Sequence, residues 1–174
     1  MFVPLYFELT KQSFGKSVEI LYLEDNKQMP IGEKRQKLLE MAQGEYIVFF
    51  DSDDEPMPYY IDEILKGLER KPGCLGFIIN MTTNGGKPET CIHSLKYPNW
   101  YSQPPIHYRN VTHFNCAKRE LALKAGFGIE RFGEDLAYAN RLTPLCKTEV
   151  FIEKPIFHYK FTNHEPHRTK YGIK

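Results

Sequence analysis

The stretch "GEYIVFFDSDDEP", Gly44–Pro56, runs from an apolar segment straight into acid. Behind Glu45, Tyr46–Phe50 has the aromatic and branched composition of a buried strand. Asp51, Asp53, Asp54 and Glu55 then place four carboxylates in five positions. Burying such charges is costly unless they are paired or bind a metal. In open α/β sheets, ligands collect at the carboxyl ends of strands. With an extended backbone, Asp51 and Asp53 would point the same way and address one cation. Their hard oxygens suit Mg²⁺ or Mn²⁺, which retain water and often bridge to phosphate. A solvated acidic turn capping the next helix is the plainer reading of an isolated DxD.

The flanks extend the pattern. Val18–Leu23 ("VEILYL") reads as a buried strand, and residues 2–12 as a short helix before it. Ile31–Gln43 reads as a helix with Ile31, Leu38, Leu39 and Ala42 near one face, ended by Gly44 in the C′ role. After Pro56 and Pro58, Ile61, Ile64, Leu65 and Leu68 fall at helical spacing until "KPG" at 71–73. Strand, helix, strand, helix implies a parallel sheet with helical crossovers. The second half is more mixed. "LGFIINM" is a strand, "TTNGGKPE" a hairpin turn, and "YPNWYSQPPIHYRN" a Pro- and aromatic-rich loop. "THFNCAK" leads as a short strand into the helix "RELALKAGF"; "GEDLAYANRL" starts another helix. "EVFIEKPIFHYKF" holds two strands interrupted by Pro155.

The 174 residues suit one domain, with 41% hydrophobic and 26% charged residues. A formal net charge of +1 provides no global basic field for nucleic acid, and no basic, aromatic-interleaved motif supplies a local one. The tail at 162–174, with Arg168, Lys170 and Lys174, reads as a solvated basic terminus. Cys74, Cys91, Cys116 and Cys146 form no CxxC pair, which fits free thiols in a reducing, cytoplasmic setting. No apolar run reaches the roughly 18 residues of a bilayer span. The N-terminus, interrupted by Glu8, makes a poor signal peptide. No interface motif indicates an oligomer.

A second acidic pair, Glu134-Asp135, follows Gly133 about 80 residues after the first. Capping alone would account for acid at that helix start. Taken together, "IGEKRQKLLEMAQGEYIVFFDSDDEP", "THFNCAKRELALKAGF" and "RFGEDLAYANRL" resemble the family 2 glycosyltransferases of GT-A fold. The resemblance runs from about residue 3 to 161. It implies an α/β three-layer sandwich with a mixed, mainly parallel sheet. Residues 1–90 would be the nucleotide-sugar half and 91–161 the acceptor and catalytic half.

The same resemblance assigns roles. Asp51 and Asp53 match the DxD that binds Mn²⁺ or Mg²⁺ and a nucleotide-sugar donor, most simply a UDP-sugar. Asp135 matches the catalytic base, and Glu134 would help hold the acceptor. Arg35 matches an arginine near the nucleotide, and Asp25 an acid contacting the base. His158 is a candidate metal ligand or pyrophosphate contact, with His164 and His167 competing for that role. His113, Phe114 and Asn115 stand where the family lines the acceptor side; apart from the resemblance, the flat rings around Trp100, Tyr101, His107 and Tyr108 either form an acceptor wall or pack on the core. The implied reaction is metal-dependent inverting transfer. A carboxylate deprotonates the acceptor hydroxyl while the cation stabilises the departing diphosphate. The acceptor class (glycan, lipid-linked sugar, protein or modified base) stays open.

The family pattern opens with a strand and a Pro-Thr-Tyr-Asn-like loop that cradles the base. This sequence shows neither and reads as N-terminally shortened. A competing reading is therefore a remnant that binds nucleotide or glycan without turnover. A dehalogenase-like phosphatase is a further alternative. It needs Gly-Thr or Thr-Val after the second acid, where Asp54-Glu55-Pro56 stands.

Overall fold

The computed structural model describes residues 2–26, 28–128 and 133–162. In chain order the elements are α1 (Phe2–Ser13), α2 (Ile31–Met41), β1 (Tyr46–Ile47), β2 (Glu55–Pro56), α3 (Tyr60–Leu68), β3 (Cys74–Thr83), β4 (Glu89–His93), β5 (Tyr101–Gln103), β6 (Ile106–Arg109), β7 (Ala117–Lys118), α4 (Arg119–Ala125), α5 (Glu134–Leu142) and β8 (Glu149–Phe161). The basic tail, His164 and His167 lie outside the described residues.

One mixed sheet carries the strand order β1-β7-β3-β4-β6-β5, with β8 beside β3 and β2 beside β8. The long β3–β8 pairing and the β4–β6 pairing are parallel; the other ladders are antiparallel. Helices cover both faces. Tyr60, Ile61 and Ile64 of α3 pack with Leu9 of α1 on Leu75, Phe77, Ile79 and Met81 of β3. Leu39 of α2, Ala122 of α4, and Tyr138 and Leu142 of α5 pack on Cys74 and Ala117. The alternate residues of β3 thus face one helical layer, as the period of two in a strand requires.

The same alternation places the site. Tyr46, Val48 and Phe50 belong to the core under α1 and α3, whereas Ile47 and Phe49 belong to the core under α2, α4 and α5. Both faces are covered, so the run is apolar throughout. Residue 51 continues the series 47, 49 and so turns toward α2 and α5. α2 is held close at its N-terminus: a Cβ on Gly32 would lie 2.2 Å from the Gly128 carbonyl oxygen. Arg35, one turn later, reaches Asp51 at the end of the apolar run.

Several local expectations are corrected. Val18–Leu23 has no strand partner among the described residues and runs half-exposed beside α1. Branched residues favour an extended chain, but a strand exists only where a ladder receives it. α2 stops at Met41 with Ala42 in an extended conformation, and Gly44 does not supply a left-handed cap. Instead, the Gln43 and Gly44 amides donate to the Glu19 carboxylate at 2.6 and 2.8 Å. The aromatic-rich loop contains the β5–β6 hairpin, with Tyr101 stacked on Tyr108 at 4.7 Å. β8 runs unbroken through Pro155, because its pairing with β3 shifts register on both sides of Ile78, opposite that proline. The "NGG" turn is as expected: Asn84 and Gly85 both take positive φ (52° and 72°), and the Gly86 amide donates to the Thr83 carbonyl at 2.9 Å.

Candidate active site

The DSDD segment is a turn, closed by the Asp54 amide donating to the Asp51 carbonyl at 3.2 Å. It is not extended, so Asp51 and Asp53 do not share a face. Asp51 points inward, Asp53 is exposed, and Asp54 is buried. The turn thereby gives its three acids three different surroundings.

Asp51 meets a buried cation. Arg35 donates through Nη2 to Asp51 Oδ1 at 2.8 Å and through Nη1 to Glu134 Oε1 at 2.8 Å. Arg35 and Glu134 are both buried; Asp51 keeps partial access to solvent. Arg35 Nη2 also lies 3.1 Å from His113 Nε2. A guanidinium only donates, so Nε2 accepts and the ring proton is assigned to Nδ1, which is buried without a partner among the described residues. His113 Nε2 is 3.6 Å from the second Asp51 oxygen. One arginine thus ties the acidic turn to the first residue of α5. It is an interior clamp and lines neither of the two pockets described below.

The electrostatics follow from this wiring. Burial raises the Asp51 carboxyl, but its setting against His113 and the donating, charged Arg35 more than reverses the effect and holds it well below the usual range. Burial and then the Arg35 charge lower His113, which keeps the ring neutral. Burial raises Glu134 despite its arginine partner. Asp54 accepts from the Lys160 amide at 2.9 Å through Oδ1, while Oδ2 is buried with no partner among the described residues. Burial, together with the charges of Asp51 and Asp53, pushes Asp54 to about 8.

Asp135 lines an open pocket of about 320 Å³ together with His113, Phe114, Tyr159, Trp100 and Arg109. Its Oδ1 accepts from the Leu136 amide at 2.8 Å. Gly133 precedes the pair as a left-handed N-cap (φ 76°), a conformation that suits glycine. Asp25 lines a second, more polar pocket of about 450 Å³ with Lys34 and Ser52, the second residue of the acidic turn. There Asp25 pairs with Lys34 and accepts from the Met29 amide at 2.7 Å. His158, on β8 opposite Glu55, shares a 3.0 Å hydrogen bond with Thr82 Oγ1, and its Nδ1 is 3.9 Å from Glu55. Arg35, Asp51 and Glu134 therefore converge with His113, while Asp25, Asp135 and His158 occupy separate positions around them. His113 and Asp54 carry more of the site than residue type suggested. Their only signals were "THF" before the second-half helix and the unbroken acid run.

His93, on the floor of the Asp135 pocket, is buried against Phe77 at 5.5 Å. Burial first, then the Arg109 charge, lowers its pKa to about 3. An unfolded histidine titrates near ~6.5, so the unfolded chain takes up this proton first as pH falls. The contribution to stability is whole above ~6.5 and declines toward pH 3 by about 1.4 kcal/mol per pH unit. Denaturant titrations should show the protein losing about 2 kcal/mol more than a His93→Leu variant between about pH 7 and pH 5. Equal pH slopes in the two proteins would refute this.

No three His, Cys, Asp or Glu side chains among the described residues cage a metal by themselves. Mg²⁺-type ions bound with a diphosphate need only one or two carboxylates. Asp53, exposed on the turn, is such a carboxylate, whereas Asp51 is turned inward onto Arg35 and His113 and does not share its face. A divalent cation held by Asp53 here would need a diphosphate and water to complete its shell.

Comparison with known proteins agrees with this architecture. No curated protein sequence matches the chain. The structure of S. aureus TarS 1–349 in complex with UDP-GlcNAc matches with a TM-score of 0.56 at 15% identity, over 92% of this chain and 47% of that one. TarS 1–349 alone gives 0.57 at 15% identity, over 90% and 48%. A further S. aureus TarS structure gives 0.56, over 92% of this chain and 29% of that chain. At such identity the likeness concerns the fold, which is GT-A, and the chain spans about half the length of the TarS 1–349 structures. Among the described residues no helix is long and apolar enough to cross a membrane. The model of "Glycosyl transferase family 2" matches residues 8–124, and the chain belongs to that family.

Proposed function

We propose that this glycosyltransferase domain performs a divalent-cation-dependent, inverting transfer of a sugar from a UDP-sugar to an acceptor hydroxyl. The observation that carries the reading is Arg35, bonded at once to Asp51 of the acidic turn and to Glu134 of α5. It holds the leaving-group side and the nucleophile side as one unit. Asp53 would hold the cation, which when bound offsets charge on the departing diphosphate, while Asp51 is fixed beside it by Arg35. Asp25 and Ser52 line the pocket on the nucleotide side of the turn. Asp135, in the pocket on the other side, accepts the proton from the acceptor hydroxyl as it attacks. Glu134 acts through Arg35 as a positioning residue. The choice of a UDP-sugar is supported by the UDP-GlcNAc bound in the similar TarS structure.

Calorimetric titration with UDP tests this. Binding is expected with Mn²⁺, lost with chelator, and lost in Asp53→Ala, whose exposed side chain contributes little to folding. UDP-GlcNAc should then be turned over slowly with water as acceptor. Binding without turnover would favour the reading as a nucleotide- or glycan-binding domain. One observation speaks for that reading: the Asp25 carboxylate is already paired with Lys34. Heat from neither UDP nor GDP, with or without Mn²⁺, would overturn the transferase reading.

A further inference from the structure

The pocket beside Asp135 contains a charge that the transfer chemistry leaves unused. Arg109, at the end of β6, is the one arginine or lysine on its wall among the described residues. Its Nη1 donates to the Tyr101 carbonyl at 3.0 Å and the Tyr108 carbonyl at 2.8 Å, and its guanidinium carbon sits 5.2 Å from the Trp100 ring centre. Trp100 is itself fixed, donating from Nε1 to Asn110 Oδ1 at 2.7 Å. These contacts orient the guanidinium and consume both Nη1 hydrogens. Nε and Nη2 make no hydrogen bond among the described residues, and no described carboxylate pairs with Arg109. Glu89, at the other end of β4 from the residue that pairs with Arg109, is engaged with His107 at 3.0 Å, and His107 in turn with Ser102 at 2.8 Å.

An arginine held by one nitrogen presents the Nε–Nη2 edge, whose two parallel N–H groups match a carboxylate or phosphate. A half-buried cation without a counter-ion is an unfavourable arrangement that an anionic ligand relieves and a neutral one does not. Phe114, Tyr159 and Trp100 give the same pocket apolar rings on which a sugar face can lie. Asp135 adds a carboxylate to that wall. We propose that the acceptor is an acidic sugar, whose carboxylate or phosphate substituent is held by Arg109 while its ring lies on the aromatic wall and its hydroxyl reaches Asp135. The hydroxyl assignment rests on the transferase reading; the anion subsite at Arg109 does not. Arg109 is thus a specificity-determining residue.

Trp100 is the chain's single tryptophan, so its fluorescence reports this pocket. The protein would be titrated with glucose, glucuronic acid, glucose 6-phosphate and inorganic phosphate. A charge-assisted bidentate contact predicts that an acidic sugar binds about ten- to hundred-fold tighter than glucose. Which acid gains more identifies the substituent, and phosphate without a ring should bind more weakly than glucose 6-phosphate. Arg109→Gln should erase the preference and Arg109→Lys should retain part of it, with circular dichroism showing both folded. Independently of any variant, the affinity for the acidic sugar should fall as salt rises while that for glucose holds. Equal binding of acidic and neutral sugars, no response to any acidic sugar, or a preference that survives Arg109→Gln or is insensitive to salt would overturn the proposal. UDP calorimetry reads the Asp51–Asp53 side and does not involve Arg109. Loss of UDP binding would therefore sink the transferase reading alone, and loss of acid preference the subsite alone.

Discussion

Replacing Arg35 by Met should destabilise the protein by about 3–5 kcal/mol near neutral pH, the usual cost of stranding the partner of a buried ion pair. Two carboxylates lose their partner here, and Glu134 has little solvent to turn to. Methionine keeps much of the arginine's apolar stem, so the loss reports charge more than volume. The partial exposure of Asp51 favours the lower end of that range.

The pH dependence identifies the cause. With Arg35 present, Asp51 is depressed below its unfolded value, so its contribution is present above pH ~4 and lost as pH falls below it. Without Arg35, burial raises both acids, and the variant should lose stability as pH rises. The gap between wild type and Arg35→Met should therefore narrow from pH 7.5 toward pH 5, and adding Glu134→Gln should recover part of it. A urea-melt difference under about 1 kcal/mol at neutral pH would show that the clamp is not what joins α2, the acidic turn and α5.

Asp135→Asn carries the other large effect. Removing a general base typically costs about 10²–10⁴ in rate. The side chain is half-buried at the pocket, and Asn keeps its size and can still accept from the Leu136 amide. The fold and UDP affinity should therefore be unchanged. UDP-GlcNAc turnover, with water standing in for the acceptor, should fall by that factor in kcat with little change in KM. A loss below about tenfold would move the base elsewhere in the pocket.

Much of the fold was legible locally. α3 shows in the spacing of Ile61, Ile64, Leu65 and Leu68, and the hairpin after β3 in "NGG". The apolar run Tyr46–Phe50 announces burial on both faces, and the two acidic motifs sit at the end of that run and at the start of α5. The long-range pairings were not legible. Val18–Leu23 has the composition of a strand and no described strand beside it, whereas the aromatic loop zips into β5 and β6 because β4 offers β6 a parallel edge. Pro155 looks like a break until the shifted register of β3 accommodates it.

By itself, the sequence determined where the turns, helices and acids lie, since these depend on backbone freedom and spacing within a few residues. The tertiary structure alone decided what each charge meets. Arg35 reads as a nucleotide contact on its helix, yet its partners stand 16, 78 and 99 positions away, and Asp51 and Asp53 part ways because the chain turns between them. The state and role of a charged group follow from burial and neighbours, which only the packing of distant segments supplies.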